Sequence, residues 1–303
     1  IFSAAKRVTE INNTDRSKIE LATPSLAVST FEPGDEILWM VMAGHHPTLS
    51  PDPNACGADL FLGSWGFAKI TNILGDLAGD VGNDTNIWIQ LDKPITTNAA
   101  PVQNTNLAQT TLDGTLPFCR IQIVRVPNFN SLTVNSVFSI SPDPFSMTNG
   151  YGGIVAFRTK SLSISTSVNI NASALGFQAV ANNQGGGVSG VGIDSPMQAN
   201  SNGGAGGSTT PYEGGGGANA GAGGASTGGA PGGNPMTYCI GNSPCGLVRD
   251  RKGFLGGAGG SSAGLIGANG GGLIFIHAEH IFGPGSLTLN ADGGVAVNNA
   301  TGG

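Results

Sequence analysis

The amino-acid sequence predicts an all-β chain: an N-terminal β-sandwich or barrel-like domain, then a glycine-rich β domain with polyglycine II-like packing. Three observations point there. Apolar residues alternate in short runs separated by Gly, Pro, Asn and Asp turns; no amphipathic helix longer than two turns can be drawn; and two look-alike strand units bracket a glycine tract.

Residues 1–30 contain two β-leaning pieces, "KRVTEI" and "KIELAT", split by an Asn/Thr/Asp break. A strand at a chain end detaches easily, so this segment is expected to be an N-terminal arm and a candidate donor strand for a neighbouring subunit. From Phe31 the signals strengthen. "FEPGDEILWMVMAG" is a Pro-Gly turn followed by a near-continuous apolar run, the pattern of a strand buried on both faces. "GFAKITNI" alternates only loosely through Phe67, Ile70 and Ile73, but its β-branched content favours a strand. "NIWIQLDKPI" puts Ile87, Ile89 and Leu91 on one face, and "FCRIQIVRVPNFNSLTV" sets Ile121 and Ile123 opposite Val124 and Val126. The expected β-sandwich or barrel-like domain spans 31–145 and ends in the Pro/Gly-rich junction "SPDPFSMTNGYGG".

The expected second domain, 146–303, holds an internal repeat. "GGIVAFRTKSLSISTSVNINASALG" (152–176) aligns with "GGLIFIHAEHIFGPGSLTLNADGG" (271–294): a glycine pair, an apolar run, a polar break, then a short strand ending in Asn-Ala. Repeats of one strand-turn-strand unit stack to share a core. The intervening tract, which includes "PYEGGGGANAGAGGASTGGAPGGNP", must therefore leave and re-enter one body. Its glycines are expected to be ordered, because chains without Cβ atoms approach closely and exchange backbone hydrogen bonds. Ordering each residue costs about 1–2 kcal/mol and a net hydrogen bond returns about 1, so such a layer needs the repeat strands or neighbouring subunits as support.

Composition narrows the function classes. Gly supplies 51 of 303 residues and the charged residues only 11%, against about 25% in an average soluble domain. Net charge is −6 and the 13 basic residues are scattered, "RDRK" at 249–252 being the densest group, so no nucleic-acid footprint is visible. No apolar run reaches the ~20 residues of a membrane helix, and no membrane insertion is expected. The chain opens at Ile1 without a leader, which is read as removal of a signal peptide. Cys239 and Cys245 in "CIGNSPC" are expected to close one disulfide and Cys56 with Cys119 a second, since no paired CxxC zinc blocks occur. Asn12, Asn83, Asn171 and Asn299 head glycosylation sequons, which suits a secreted protein.

Catalytic motifs fail on context. "GSSAG" has nucleophile-elbow spacing around Ser262, but neither strand nor helix flanks it. No phosphate-cradling G-x-x-x-x-G-K-[ST] occurs. His277 and His280 in "HAEH" point to opposite sides of a strand, with Glu279 on the side of His277; His45 and His46 sit in a turn. All four histidines are read as structural or surface residues. The loop from Asp76 through Asp80 to Asp84 lacks EF-hand spacing, and the acidic residues, Asp113 and Asp292 included, cluster in turns rather than as a convergent glycosidase pair. No cofactor, metal or catalytic residue is expected.

In order, "FEPGDEILWMVMAG", "GFAKITNI", "IVRVPNFNSLTV", "GGIVAFRTKSLSIS", the glycine tract and "GGLIFIHAEHIFGPGSLTLNADGG" resemble uncharacterised glycine-rich bacterial surface proteins, over roughly residues 31–295. The resemblance implies a secreted or surface-displayed structural or adhesive role with no catalytic residues to carry over. A weaker likeness is to glycine-rich phage tail-fibre adhesins. The leading expectation is a subunit of an extracellular filament, a homopolymer joined by strand donation from the N-terminal segment. The alternative is a fibre-tip adhesin that presents Tyr212, Met236 and Tyr238 to a glycan or receptor; a polysaccharide enzyme is disfavoured.

Overall fold

The computed structural model describes residues 4–12, 14–21, 31–43, 64–75, 87–95, 120–146, 149–179, 238–239, 243–244, 255–257, 259 and 267–295. Its elements in chain order are β1 (Ala5–Ile11), β2 (Lys18–Leu21), β3 (Glu36–Ala43), β4 (Trp65–Gly75), β5 (Ile87–Leu91), β6 (Arg120–Val126), β7 (Asn128–Val134), β8 (Phe138–Ile140), β9 (Ile154–Ile164), β10 (Val168–Asn171), β11 (Tyr238–Cys239), β12 (Ser243–Pro244), β13 (Leu273–Phe282) and β14 (Leu287–Asn290). No helix occurs among the described residues, so the all-β class holds.

The first six strands close into a barrel in the order β1-β2-β5-β4-β3-β6, every neighbouring pair antiparallel. Its interior is filled by Val8, Ile19, Ile37, Val41, Ile70, Ile89, Ile121 and Ile123 among others. The alternation read from "IQIVRV" is the reason: Ile121 and Ile123 point in, while Val124 and Val126 belong to a different cluster outside. β3 is buried on both faces, Ile37 and Val41 inward, Leu38, Met40 and Met42 outward. In β4, Phe67 lies outside while Ile70 and Ile73 both lie inside or against the interior; β-bulges at Ile70/Asn72 and Ile73/Gly75 shift the parity.

β6 runs through Pro127 directly into β7, and the architecture changes there. Strands β7, β9 and β13 form one parallel sheet in the order β13-β9-β7, and β8, β10 and β14 form another in the order β14-β10-β8. Each long strand turns into a short one, so the pairs β7–β8, β9–β10 and β13–β14 are three stacked rungs of a solenoid. The step is 30 residues from first rung to second, as in Ser165 on Asn135, and 119 from second to third, as in Ser286 on Ser167. Val155, Phe157, Leu162, Ile164, Val168 and Ile170 fill the space between the two sheets.

A second core joins barrel to solenoid: Leu38, Met40, Met42, Val124 and Val126 pack on Phe145, Ile154, Ala156, Phe177 and Leu255. At its margin the Arg158 guanidinium lies 4.3 Å from the centre of the Phe67 ring and pairs with Glu36 at 2.9 Å.

Two expectations on layout are corrected. Within the segment expected to be a detached arm, residues 5–11 and 18–21 are built into the barrel: β1 is hydrogen-bonded between β2 and β6, β2 between β1 and β5, and together they close it. Val8 and Ile19 are wholly buried, and Thr9 donates to the buried carboxylate of Glu20. The boundary drawn at 145/146 falls inside the solenoid, whose first rung begins at Asn128.

Candidate self-assembly interface

A closed barrel leaves no strand edge exposed, whereas a short solenoid leaves two. Among the described residues β13 pairs only with β9 and β14 only with β10; at the other end β7 pairs only with β9 and β8 only with β10. The outer N–H and C=O groups of these strands have no ladder partner among the described residues.

Side chains at the last rung are open in the same way. Leu162 and Ile170 of the middle rung are 2% and 1% exposed, but their in-register equivalents one rung on, Ile281 and Leu289, are 55% and 52% exposed. Phe282 is exposed beside them. The first rung is half open: Phe138 is 44% exposed, while Ile140 is buried. Ile281, Leu289 and Phe138 stack on buried residues of the middle rung, so their exposure marks end layers with no further rung stacked on them among the described residues; Phe282 is in register with the polar Ser163 and Thr133 instead.

Packed glycine backbone supports the last rung. Gly176 N–H donates to Gly270 O at 2.7 Å, Gly270 N–H to Phe177 O at 2.9 Å and Gly256 N–H to Gly271 O at 2.7 Å. A Cβ placed on Gly270 would stand 1.9 Å from Gly256 O, so only glycine fits this approach. The rest of the tract, including residues 185–233, lies outside the described residues.

The sequence-derived site residues divide as follows. Cys56, Cys119 and Cys245 lie outside the described residues; Cys239 stands opposite Ser243 in the β11–β12 ladder, its side chain likewise outside. Neither expected disulfide is therefore among the described contacts. Asn12 caps a turn, its Oδ1 accepting from Thr14 N–H at 3.0 Å and Asp15 N–H at 2.9 Å. Asn171 ends β10 in register with Asn290, and its Oδ1 accepts from Ser173 N–H at 2.9 Å. Asn83, Asn299, Tyr212, Met236, Ser262, His45, His46, Asp76, Asp80, Asp84 and Asp113 are outside the described residues; Tyr238 faces Pro244 in backbone register. His277, Glu279 and His280 are all exposed along β13, and Asp292 is exposed just beyond β14. Among the described residues no three His, Cys, Asp or Glu are grouped to hold a metal ion, and no helix is long and apolar enough to cross a membrane.

Two features escaped the sequence reading. The first rung, "NFNSLTVNSVFSI", matches "RTKSLSISTSVNI" at a step of 30, a signal visible in its Ser-Leu-Thr-Val and Val-Phe-Ser-Ile pieces. It lacks the leading glycine pair because a barrel strand runs straight into it. The other is the fully buried Gln122, which bonds the backbone of Gly152. No protein-family model, curated protein or solved structure matches this chain.

Proposed function

We propose that the protein is a structural subunit of an extracellular filament or surface fibre that assembles head to tail with copies of itself and performs no catalysis. The observation that carries this role is that the strands at both solenoid ends lack an outer ladder partner among the described residues, with residues buried in the middle rung left half exposed in the last. The two ends are different surfaces, so contact between them is heterologous and does not close, which generates a filament rather than a dimer. The low charge, the four cysteines and the four sequons support a place outside the cell. Strand β1 is committed to its own barrel, so the joint is proposed at the solenoid and not at the N-terminal segment.

Sedimentation velocity and negative-stain electron microscopy of the purified full chain over a range of concentrations test the role. Rods that lengthen with concentration are expected. A chain that stays monomeric throughout contradicts it.

A further inference from the structure

We infer that the acceptor surface is the last rung, β13–β14, and that its occupant is the first rung, β7–β8, of the next copy, added in parallel and in the same register as the rungs inside each chain. This rests on the fibre role proposed above and specifies its joint.

Register determines which residues would meet. Within the chain, Leu132 stacks on Leu162 and Leu162 on Ile281; Phe138 on Val168 and Val168 on Leu287; Ile140 on Ile170 and Ile170 on Leu289. Continuing the stack by one layer sets Leu132 of the incoming copy on Ile281, Phe138 on Leu287 and Ile140 on Leu289, three apolar contacts at inner positions. Most polar positions also agree, Thr133 against Phe282 being the exception. Asn128 meets His277, Ser131 meets His280 and Ser139 meets Thr288, with no like charges opposed.

The backbone adds a second argument. The two outer edges of a parallel sheet are complementary, because each strand offers one neighbour what it accepts from the other. Any strand can bond to an open edge, but the side-chain order apolar at 281, 287 and 289 and polar at 277, 280 and 288 selects a strand pair with the same order. The first rung of this chain has it. Within each chain the barrel packs against the first halves of β9 and β13, at Ile154, Ala156, Leu273 and Phe275, so the proposed joint is made by the second halves, from His277 onward. Three rungs per subunit at strand spacing give a rise of about 14 Å per copy.

The test uses the full chain and variants that block one end each. Leu289→Lys places a charge on the acceptor rung and Phe138→Lys on the donor rung; both wild-type side chains are about half exposed, so the monomer is expected to keep its far-UV circular dichroism and Tm. If either variant unfolds, Ile281→Lys replaces the first and Leu132→Lys the second. Each folded variant alone is expected to sediment as a monomer at concentrations where the wild type forms rods. An equimolar mixture is expected to give a dimer and nothing larger, because one good donor and one good acceptor remain. Rods from either variant alone, or a mixture that stays monomeric while the wild type polymerises, overturn the rung-on-rung joint and leave the fibre role standing. A wild type that never polymerises removes both.

Discussion

Gln122 holds both backbone polar groups of Gly152: its Oε1 accepts the Gly152 N–H at 2.9 Å and its Nε2 donates to the Gly152 carbonyl at 3.3 Å. The glutamine belongs to the barrel strand β6 and the glycine to the approach to β9, so this pair fixes one body to the other. Gly152 has φ +120°, and a Cβ there would lie 2.4 Å from Pro144 O. Gln122→Leu keeps the volume but leaves buried donor and acceptor unpaired. It is expected to cost about 2–4 kcal/mol in urea unfolding, and Gly152→Ala a similar or larger amount.

Truncation separates a built-in strand from a detached arm. Deleting residues 1–11 removes β1, reopens the barrel and strips the interior of Val8 and Ile11. The truncated chain is expected to lose cooperative thermal unfolding. An unchanged Tm would mean that the segment lies free in solution.

Arg158 ties the solenoid to the barrel through its ion pair with Glu36 and its stacking on Phe67. Both charged side chains keep some exposure, so Arg158→Ala is expected to cost about 1–2 kcal/mol, between the values for exposed and buried pairs. Arg158→Lys is expected to restore only part, since an ammonium lacks the planar face that stacks on the ring. Urea unfolding of both variants measures the difference.

Lys6 is nearly buried, and desolvation lowers its pKa, with Tyr151 offering only a ring face 5.8 Å away. The folded state disfavours the charged form, so the folded chain binds fewer protons between the lowered value and the ordinary lysine value. Stability contributed by this residue therefore rises with pH across that window. Lys6→Met is expected to raise Tm near pH 7, with the gain shrinking as pH approaches the ordinary lysine value. A gain independent of pH would contradict the assignment.

The elements that were legible in the sequence are those whose burial is one-sided or complete. Ile121 and Ile123 alternate cleanly because β6 lines a barrel interior, and the continuous apolar run of β3 reflects cores on both of its faces. The repeat of 152–176 in 271–294 was legible because the rungs stack in parallel and in register, so equal positions have equal neighbours. What escaped did so for physical reasons. In β4 the bulges put Ile70 and Ile73 on one side despite odd spacing. Closure of the barrel by β1 and β2 depends on pairing with strands far along the chain, which local pattern does not encode. The open end was not legible either: Leu162 and Ile281 are alike as residues, and only their place in the stack makes one buried and the other exposed.

Diffraction from oriented fibres of the assembled protein tests the central claim most directly. Rungs stacked end to end place strands across the fibre, so a reflection at about 4.7–4.9 Å is expected along the fibre axis. The same reflection perpendicular to the axis, with strands running along the fibre, would contradict assembly through the open rungs.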